Sequence, residues 1–323
     1  MKRLLQIAAL LAAGGALLCA VAWGAMVWTP GEGVATSEAD ITDFFSGKES
    51  STKRFQRALD HLGHEAPRAF DLNGNTVYFS VNHVDKSPVD VLADYQDEFV
   101  YQDLNEQSYS SSKYLGSQQA RTDMLTGGVV PIEIGDRYVS MGGGVTENRA
   151  DDDEGLARLA AEFNSGRVDK KFRGYRHIEA FREPKSRWTT VVASWSDETF
   201  DYRKMIAGSR TAGQGADPRV PACPGCTRLQ RFEDLDAERG HVDHVFKGSS
   251  DPGSTLNFYD RVLVERGWSH SESTTVLERA RKLQLPLPDA DLRHFERGSQ
   301  TLTLVVYAGE DGGSVAHLTL SDS

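Results

Sequence analysis

The chain has 323 residues, of which 39% are hydrophobic and 26% charged, and its formal net charge is −11. That length accommodates two ordinary domains with real cores, and that composition is globular and not disordered. The acidic balance, with a pI near 5.3, argues against a nucleic-acid partner, because phosphate binding needs a concentrated basic surface.

Lys2 and Arg3 precede an almost wholly apolar run from Leu4 to Trp28, which reads as an export signal occupying residues 1–28. Ala20-Val21-Ala22 offers a small-x-small cleavage site, whereas the length of the run and the interfacial Trp23 and Trp28 suit an uncleaved single-pass anchor, the reading preferred here. Lipid attachment at Cys19 is disfavoured by the bulky Leu18 before it. Residues 29–51, rich in Gly, Ser, Thr and acids, form the expected tether.

A first unit is expected over residues 52–206. Phe55, Ala58, Leu59 and Leu62 have the spacing of a short amphipathic helix that Gly63 ends, and Asn73-Gly74 between Ala69-Phe70 and Val77-Tyr78-Phe79 is a hairpin signal. Ser87-Pro88 then starts a helix with Leu92, Tyr95 and Phe99 on one face. An insertion from Tyr109 to Gly174 carries the apolar Val129 to Ile134, the glycines Gly142-Gly143-Gly144 and a helix starting near Asp151 with Leu156, Leu159 and Phe163 on one face. Trp188 to Trp195 and Phe200-Asp201-Tyr202 are expected to close the unit as a hairpin.

Residues 207–222 read as a linker and residues 223–323 as a second unit in the same order. Strands at Leu229–Phe232 and Val242–Phe246 lead into Asp251-Pro252, a second capped helix with Leu256, Tyr259 and Leu263 inward. Counting from each proline, Leu falls at +4, Tyr at +7, a large apolar residue at +11, and Leu104 or Trp268 at +16, so one helix pattern is used twice. The first copy has Asp103 where the second has the helix-stopping Gly267. Leu302–Tyr307 and Val315–Leu320 form the closing hairpin. The expected fold class is therefore α+β, with two repeated β-β-α-β-β units of antiparallel sheet whose apolar faces could pack together.

The second half, with Phe258-Tyr259, Leu263, Gly267-Trp268, Phe295 and the closing hairpin, resembles a domain that recurs in uncharacterised bacterial lipoproteins and secreted proteins. The resemblance implies a bacterial envelope protein and carries no activity with it; the apolar run at residues 1–28 gives the expected location, at the inner membrane with the folded part in the periplasm, or secreted after signal cleavage.

Candidate chemistry is sparse. Cys223-Pro224-Gly225-Cys226 has redox-motif spacing, but it follows a linker and precedes a strand, where a thioredoxin-type site needs a helix N-terminus; a disulfide closing a tight turn is the preferred reading over redox or metal roles. His241-Val242-Asp243-His244 suggests a metal, yet residues three apart on a strand point to opposite faces. His61 and His64 read as exposed helix-end residues without a third ligand. Asp71, Asn73 and Asn75 fit a turn better than a calcium loop, since the glycine falls too early. Gly142-Gly143-Gly144 lacks dinucleotide spacing, Asp197, Glu198 and Asp201 carry no discriminating pattern, and Trp188, Trp195 and Tyr202 are expected to pack a sheet. No cofactor or metal is expected. The sequence therefore points to a non-enzymatic envelope protein that presents a binding surface to other envelope or secretion components. A hydrolase with acidic catalytic residues and a thiol-disulfide protein using Cys223 and Cys226 are the alternatives.

Overall fold

The computed structural model describes residues 50–125, 127–146, 172–205, 217, 219–237, 240–271, 290–309 and 311–322. The apolar segment 1–28, residues 29–49 of the tether, the helix expected from Asp151 and most of the linker 207–222 lie outside them. Among the described residues no helix is long and apolar enough to cross a membrane.

Helix α1 (Ser51–His61) is capped by Ser50 and ends before Gly63, whose φ is +81°. Strands β1 (Arg68–Leu72) and β2 (Asn75–Val84) form the hairpin turned by Asn73-Gly74. Helix α2 (Pro88–Tyr101) follows, then α3 (Gln118–Leu125) and strands β3 (Val130–Ile134), β4 (Tyr138–Thr146), β5 (Phe172–Phe181) and β6 (Thr189–Ser196). The second half runs β7 (Thr227–Asp234), β8 (His241–Gly248), α4 (Pro252–Glu265), β9 (Ser269–His270), β10 (Asp291–Arg297), β11 (Gln300–Ala308) and β12 (Ser314–Asp322).

The two proline-started helices are built alike at both ends. Ser87 accepts from the Asp90 N–H and the Asp90 carboxylate reaches back, a capping box, while Asp251 accepts from the Ser254 N–H at 2.9 Å. Each stops through a left-handed residue, Asp103 (φ +54°) or Gly267 (φ +84°). The next N–H then returns to the carbonyl five residues back, Leu104 to Phe99 at 2.8 Å and Trp268 to Leu263 at 3.0 Å, which is a Schellman closure. The aspartate thus takes the position where the sequence left the first helix end open.

The twelve strands of the described residues form one antiparallel open sheet in the order β3-β4-β5-β6-β2-β1-β7-β8-β12-β11-β10-β9. The halves therefore join edge to edge, through Phe70↔Asp234, Asp71↔Glu233 and Leu72↔Phe232, instead of packing face on face. The physical reason lies in the strands: β1 and β7 each bring an unpaired edge, and Phe70 stacks on Phe232 with centroids 4.8 Å apart. Arg68 pairs with Asp234 and Arg231 with Asp71 across the same seam. Each half contributes a hairpin, a proline-started helix and a four-strand meander (β3-β4-β5-β6 or β9-β10-β11-β12), two strands more than the sequence pattern suggested. The hairpin expected between Trp188–Trp195 and Phe200–Tyr202 does not form. Strand β6 pairs instead with β5 and β2, and Tyr202–Met205 is a 3-10 turn.

Strand register assigns the faces. Tyr78, Trp195 and Ala193 lie on one face with Val191, and α1 and α2 cover them with Phe55, Leu92, Tyr95 and Phe99. Phe55 stacks on Phe99 at 6.0 Å and meets Trp195 edge-on at 5.7 Å. Through the seam the same face continues to Leu318, Leu304 and Leu302, where α4 seats Leu256, Tyr259 and Leu263. Each large apolar side chain so buried contributes about 1.5–3 kcal/mol. On the other face the turn around Phe200 and Tyr202 packs with Phe70, Leu72, Val77, Phe79, Tyr175 and Phe232. The sheet's edges are blunted. At β3 Pro131 and a register shift before Glu133 interrupt the ladder, and β9 has only two residues.

Candidate functional site

Strands β8, β12 and β11 are amphipathic, with alternate residues buried on the side of α4, where β10 adds Phe295. Their other residues form a lattice that pairing fixes row by row: His241–Ser321–Thr301–Glu296, Asp243–Thr319–Thr303–His294 and Val245–His317–Val305–Leu292. No described helix lies over this lattice.

At its centre the Asp243 carboxylate accepts from three side chains. His241 Nε2 donates to Oδ2 at 3.1 Å, His317 Nε2 to Oδ1 at 3.1 Å, and Thr319 Oγ1 to Oδ1 at 2.5 Å. Burial alone would raise the Asp243 pKa; the donors from His241, His317 and Thr319 outweigh it and hold the carboxyl well below the usual range. His241 is raised by its bond to Asp243, with burial partly opposing. Side-chain exposure is 17% for Asp243 and 42% and 43% for His241 and His317, so the carboxylate is sheltered and the imidazoles face solvent.

His241 precedes Asp243 by one row and His317 lies one row beyond, so the imidazoles grip the carboxylate from opposite ends and do not converge on one point. Among the described residues no group of three or more His, Cys, Asp or Glu could hold a metal ion. His241 Nδ1 also lies 3.1 Å from Ser321 Oγ, which gives a Ser321–His241–Asp243 chain with the connectivity of a hydrolytic triad and the two ring nitrogens exchanged. Ser321 sits inside a strand paired on both sides, where the ladder already engages the backbone amides an oxyanion would need.

The residues singled out from sequence are dispersed. Leu92, Tyr95, Phe99, Leu256, Tyr259, Leu263 and Trp268 lie in the two helix-side cores, at most 6% exposed. Cys223 and Cys226 are joined by a disulfide across a turn in which Gly225 has φ +71° and the Cys226 N–H returns to the Cys223 carbonyl. They sit on the helix side, with Cys226 Sγ against Gly248. His244 points away from His241, as a strand requires, and is buried 3.5 Å from the Asp217 carboxylate. His61 is exposed at a helix end beside Glu98. His64, expected there too, is instead largely buried between Ser80 and Tyr95, because the chain folds back over β2 after Gly63. Trp195 packs the first core, whereas Trp188 is 45% exposed beside Arg187. The glycines Gly142 to Gly144 lie in β4, where a Cβ on Gly143 would fall 1.8 Å from the Gly128 carbonyl oxygen. Asp197 and Asp201 are engaged locally, with Thr199 and Arg203, and Glu198 with Thr52.

Sequence reasoning weighed His241 against His244 and missed the pair that meets, His241 and Asp243. Their two-residue spacing was visible; the partner strand bringing His317, Thr319 and Ser321 was not.

No family model, no curated protein and no solved structure matches this chain.

Proposed function

We propose that the chain is a non-enzymatic envelope protein, anchored at the inner membrane by residues 1–28, whose sheet face opposite the described helices binds a protein partner in the periplasm. The observation that carries this reading is the disposition of α1, α2 and α4 on one face, which among the described residues leaves the lattice around Asp243 uncovered. That lattice mixes Val245, Val305 and Tyr307 with hydroxyls and imidazoles, a composition suited to a protein surface with a moderate apolar content. Two repeated units, each a hairpin, a Schellman-closed helix and a meander, build the sheet in this reading, and their matching caps support it. The disulfide fits an oxidising compartment and serves as a structural staple. The same chain released by signal cleavage would act in solution.

The test is crosslinking pulldown from membranes with a C-terminally tagged chain, run beside Val305→Arg, which changes the outward face alone. Retention of a defined envelope protein by the native chain and its loss in V305R supports the reading. Equal retention by both overturns it.

A hydrolase is the second reading, and the Ser321–His241–Asp243 chain is what favours it. Labelling by a fluorophosphonate probe that disappears in Ser321→Ala would establish it; no labelling would remove it.

A further inference from the structure

The charge of the lattice around Asp243 depends on its imidazoles, and strand pairing fixes what faces each of them. His241 has Asp243 on its own strand, Ser321 on β12 and, on β7, Asp234, itself paired with Arg68. His317 has Asp243 on β8 and the uncharged Val305 on β11, while Lys247, one row beyond on β8, is tied to Asp311 at 2.9 Å. His294 lies 3.2 Å from Thr303 Oγ1 and 3.9 Å from the Glu296 carboxylate.

With the imidazoles neutral, the carboxylates of Asp243 and Glu296 set the sign of this surface. Asp243 stays ionised because its three donors hold its pKa down, and Glu296 is half exposed. His317 uses its Nε2–H on Asp243. Its Nδ1 makes no hydrogen bond among the described residues and is not closed off from solvent, so it offers a lone pair. The chain as a whole carries −11, which gives the long-range field the same sign. An acceptor-rich, negative surface on an acidic protein is complementary to a chain that brings ammonium or guanidinium donors.

Histidine is the side chain whose charge ordinarily changes between about pH 5 and 8. The bond to Asp243 raises the His241 pKa, which brings that change toward neutral pH. Once protonated, His317 presents a donor where it had a lone pair, and His241 can no longer accept from Ser321. The lattice then opposes the cations it had favoured.

We propose that the partner docked on this lattice is a basic protein segment bearing Lys or Arg, held while His241 and His317 are neutral and released when they take up protons. This rests on the reading that the face opposite the described helices binds a protein, and it adds the chemistry of that protein and the condition for its release.

The probe is a rhodamine-labelled peptide of alternating lysine and threonine, about ten residues long, titrated onto the full-length chain in mild detergent and read by anisotropy. Its affinity should be about tenfold higher at pH 7.5 than at pH 5.5. Val305→Arg, on the lattice, should weaken binding at pH 7.5 about tenfold, whereas Val264→Arg, which adds the same charge on the exposed side of α4, should not. In His317→Gln, whose amide can still donate to Asp243, the ratio between the two pH values should fall to about threefold. No binding at pH 7.5, equal or tighter binding at pH 5.5, equal loss in V305R and V264R, or an unchanged ratio in H317Q overturns the proposal. A membrane pulldown partner lost in V305R beside a probe that ignores pH would keep the docking reading and remove this one.

Discussion

Asn73 meets Arg231 as a strand residue would, but with its side chain doing half the pairing: its N–H donates to the Arg231 carbonyl at 2.9 Å, and its Oδ1 accepts from the Arg231 N–H at 2.7 Å. Its Nδ2 also reaches the Leu229 carbonyl at 3.3 Å. The residue sits at φ +54°, a conformation Asn tolerates, so the turn of the first hairpin extends the ladder joining the two halves. Asn73→Ala should lose both side-chain bonds and pay for the left-handed backbone, costing about 2–4 kcal/mol. Asn73→Gly should cost roughly 1 kcal/mol less, because only the bonds are lost. Urea unfolding midpoints check both values, and equal midpoints would show that the side chain contributes nothing at the seam.

Asp103 and Gly267 hold the same position in the two closures, which makes them a reciprocal pair. Asp103→Gly should stabilise by about 0.5–1 kcal/mol, and Gly267→Ala should destabilise by at least as much. Thermal melts of the two variants should therefore move in opposite directions.

The Asp243 cluster has a defined pH window. Asp243 is lowered, so its contribution is present above the unfolded value near 3.9 and fades as pH falls through its depressed native pKa. His241 is raised, so its contribution is full below about 6.5 and fades as pH rises through its native pKa. The cluster therefore stabilises most between about pH 4 and 6.5. Asp243→Asn should cost roughly 1–3 kcal/mol in that window and less above it. Chemical denaturation of native and variant protein across pH gives the difference directly.

Two other histidines act in the opposite sense. Burial lowers His64 and His177 to about 4 each, so between there and about 6.5 the unfolded chain binds more protons and stability falls as pH drops. Histidine NMR should show both rings neutral at pH 5.5. A His64 resonance titrating near 6.5 would contradict its buried chain with Tyr95 and Ser80.

Reduction of Cys223–Cys226 opens a very short loop, so the entropic loss should be only about 2 kcal/mol. Melting temperatures with and without reductant measure it. Mass-shift alkylation of the protein isolated without reductant should find both thiols protected, and free thiols would instead favour a redox role.

Much of the local architecture was legible because local chemistry dictates it. Ser87, Asp251, both prolines and Gly267 announce their helices, and Asn73-Gly74 announces its hairpin. What sequence could not give was partnership between distant strands. Strand β6 looked like half of a hairpin with Phe200–Tyr202, although its neighbours come from residues 75–84 and 172–181. The edge-to-edge seam was missed for the same reason, since Phe70 and Phe232 are ordinary strand residues until they are seen to stack. At the candidate site, His241 and Asp243 were adjacent in the reading but weighed against the wrong third residue. His317 lies 74 residues from Asp243, and nothing in its own neighbourhood marks it.

The blunted rims of the sheet have a bearing on how this molecule can be selective. Addition of a foreign strand would use backbone groups that every sequence possesses, and Pro131, the irregularity before Glu133 and the two-residue β9 leave little room for it. If the proposed partner binds the broad face, it would instead be told apart by side-chain identity, position by position. Discrimination of that kind is easily lost or redirected by single substitutions, so related chains with the same sheet could serve quite different partners.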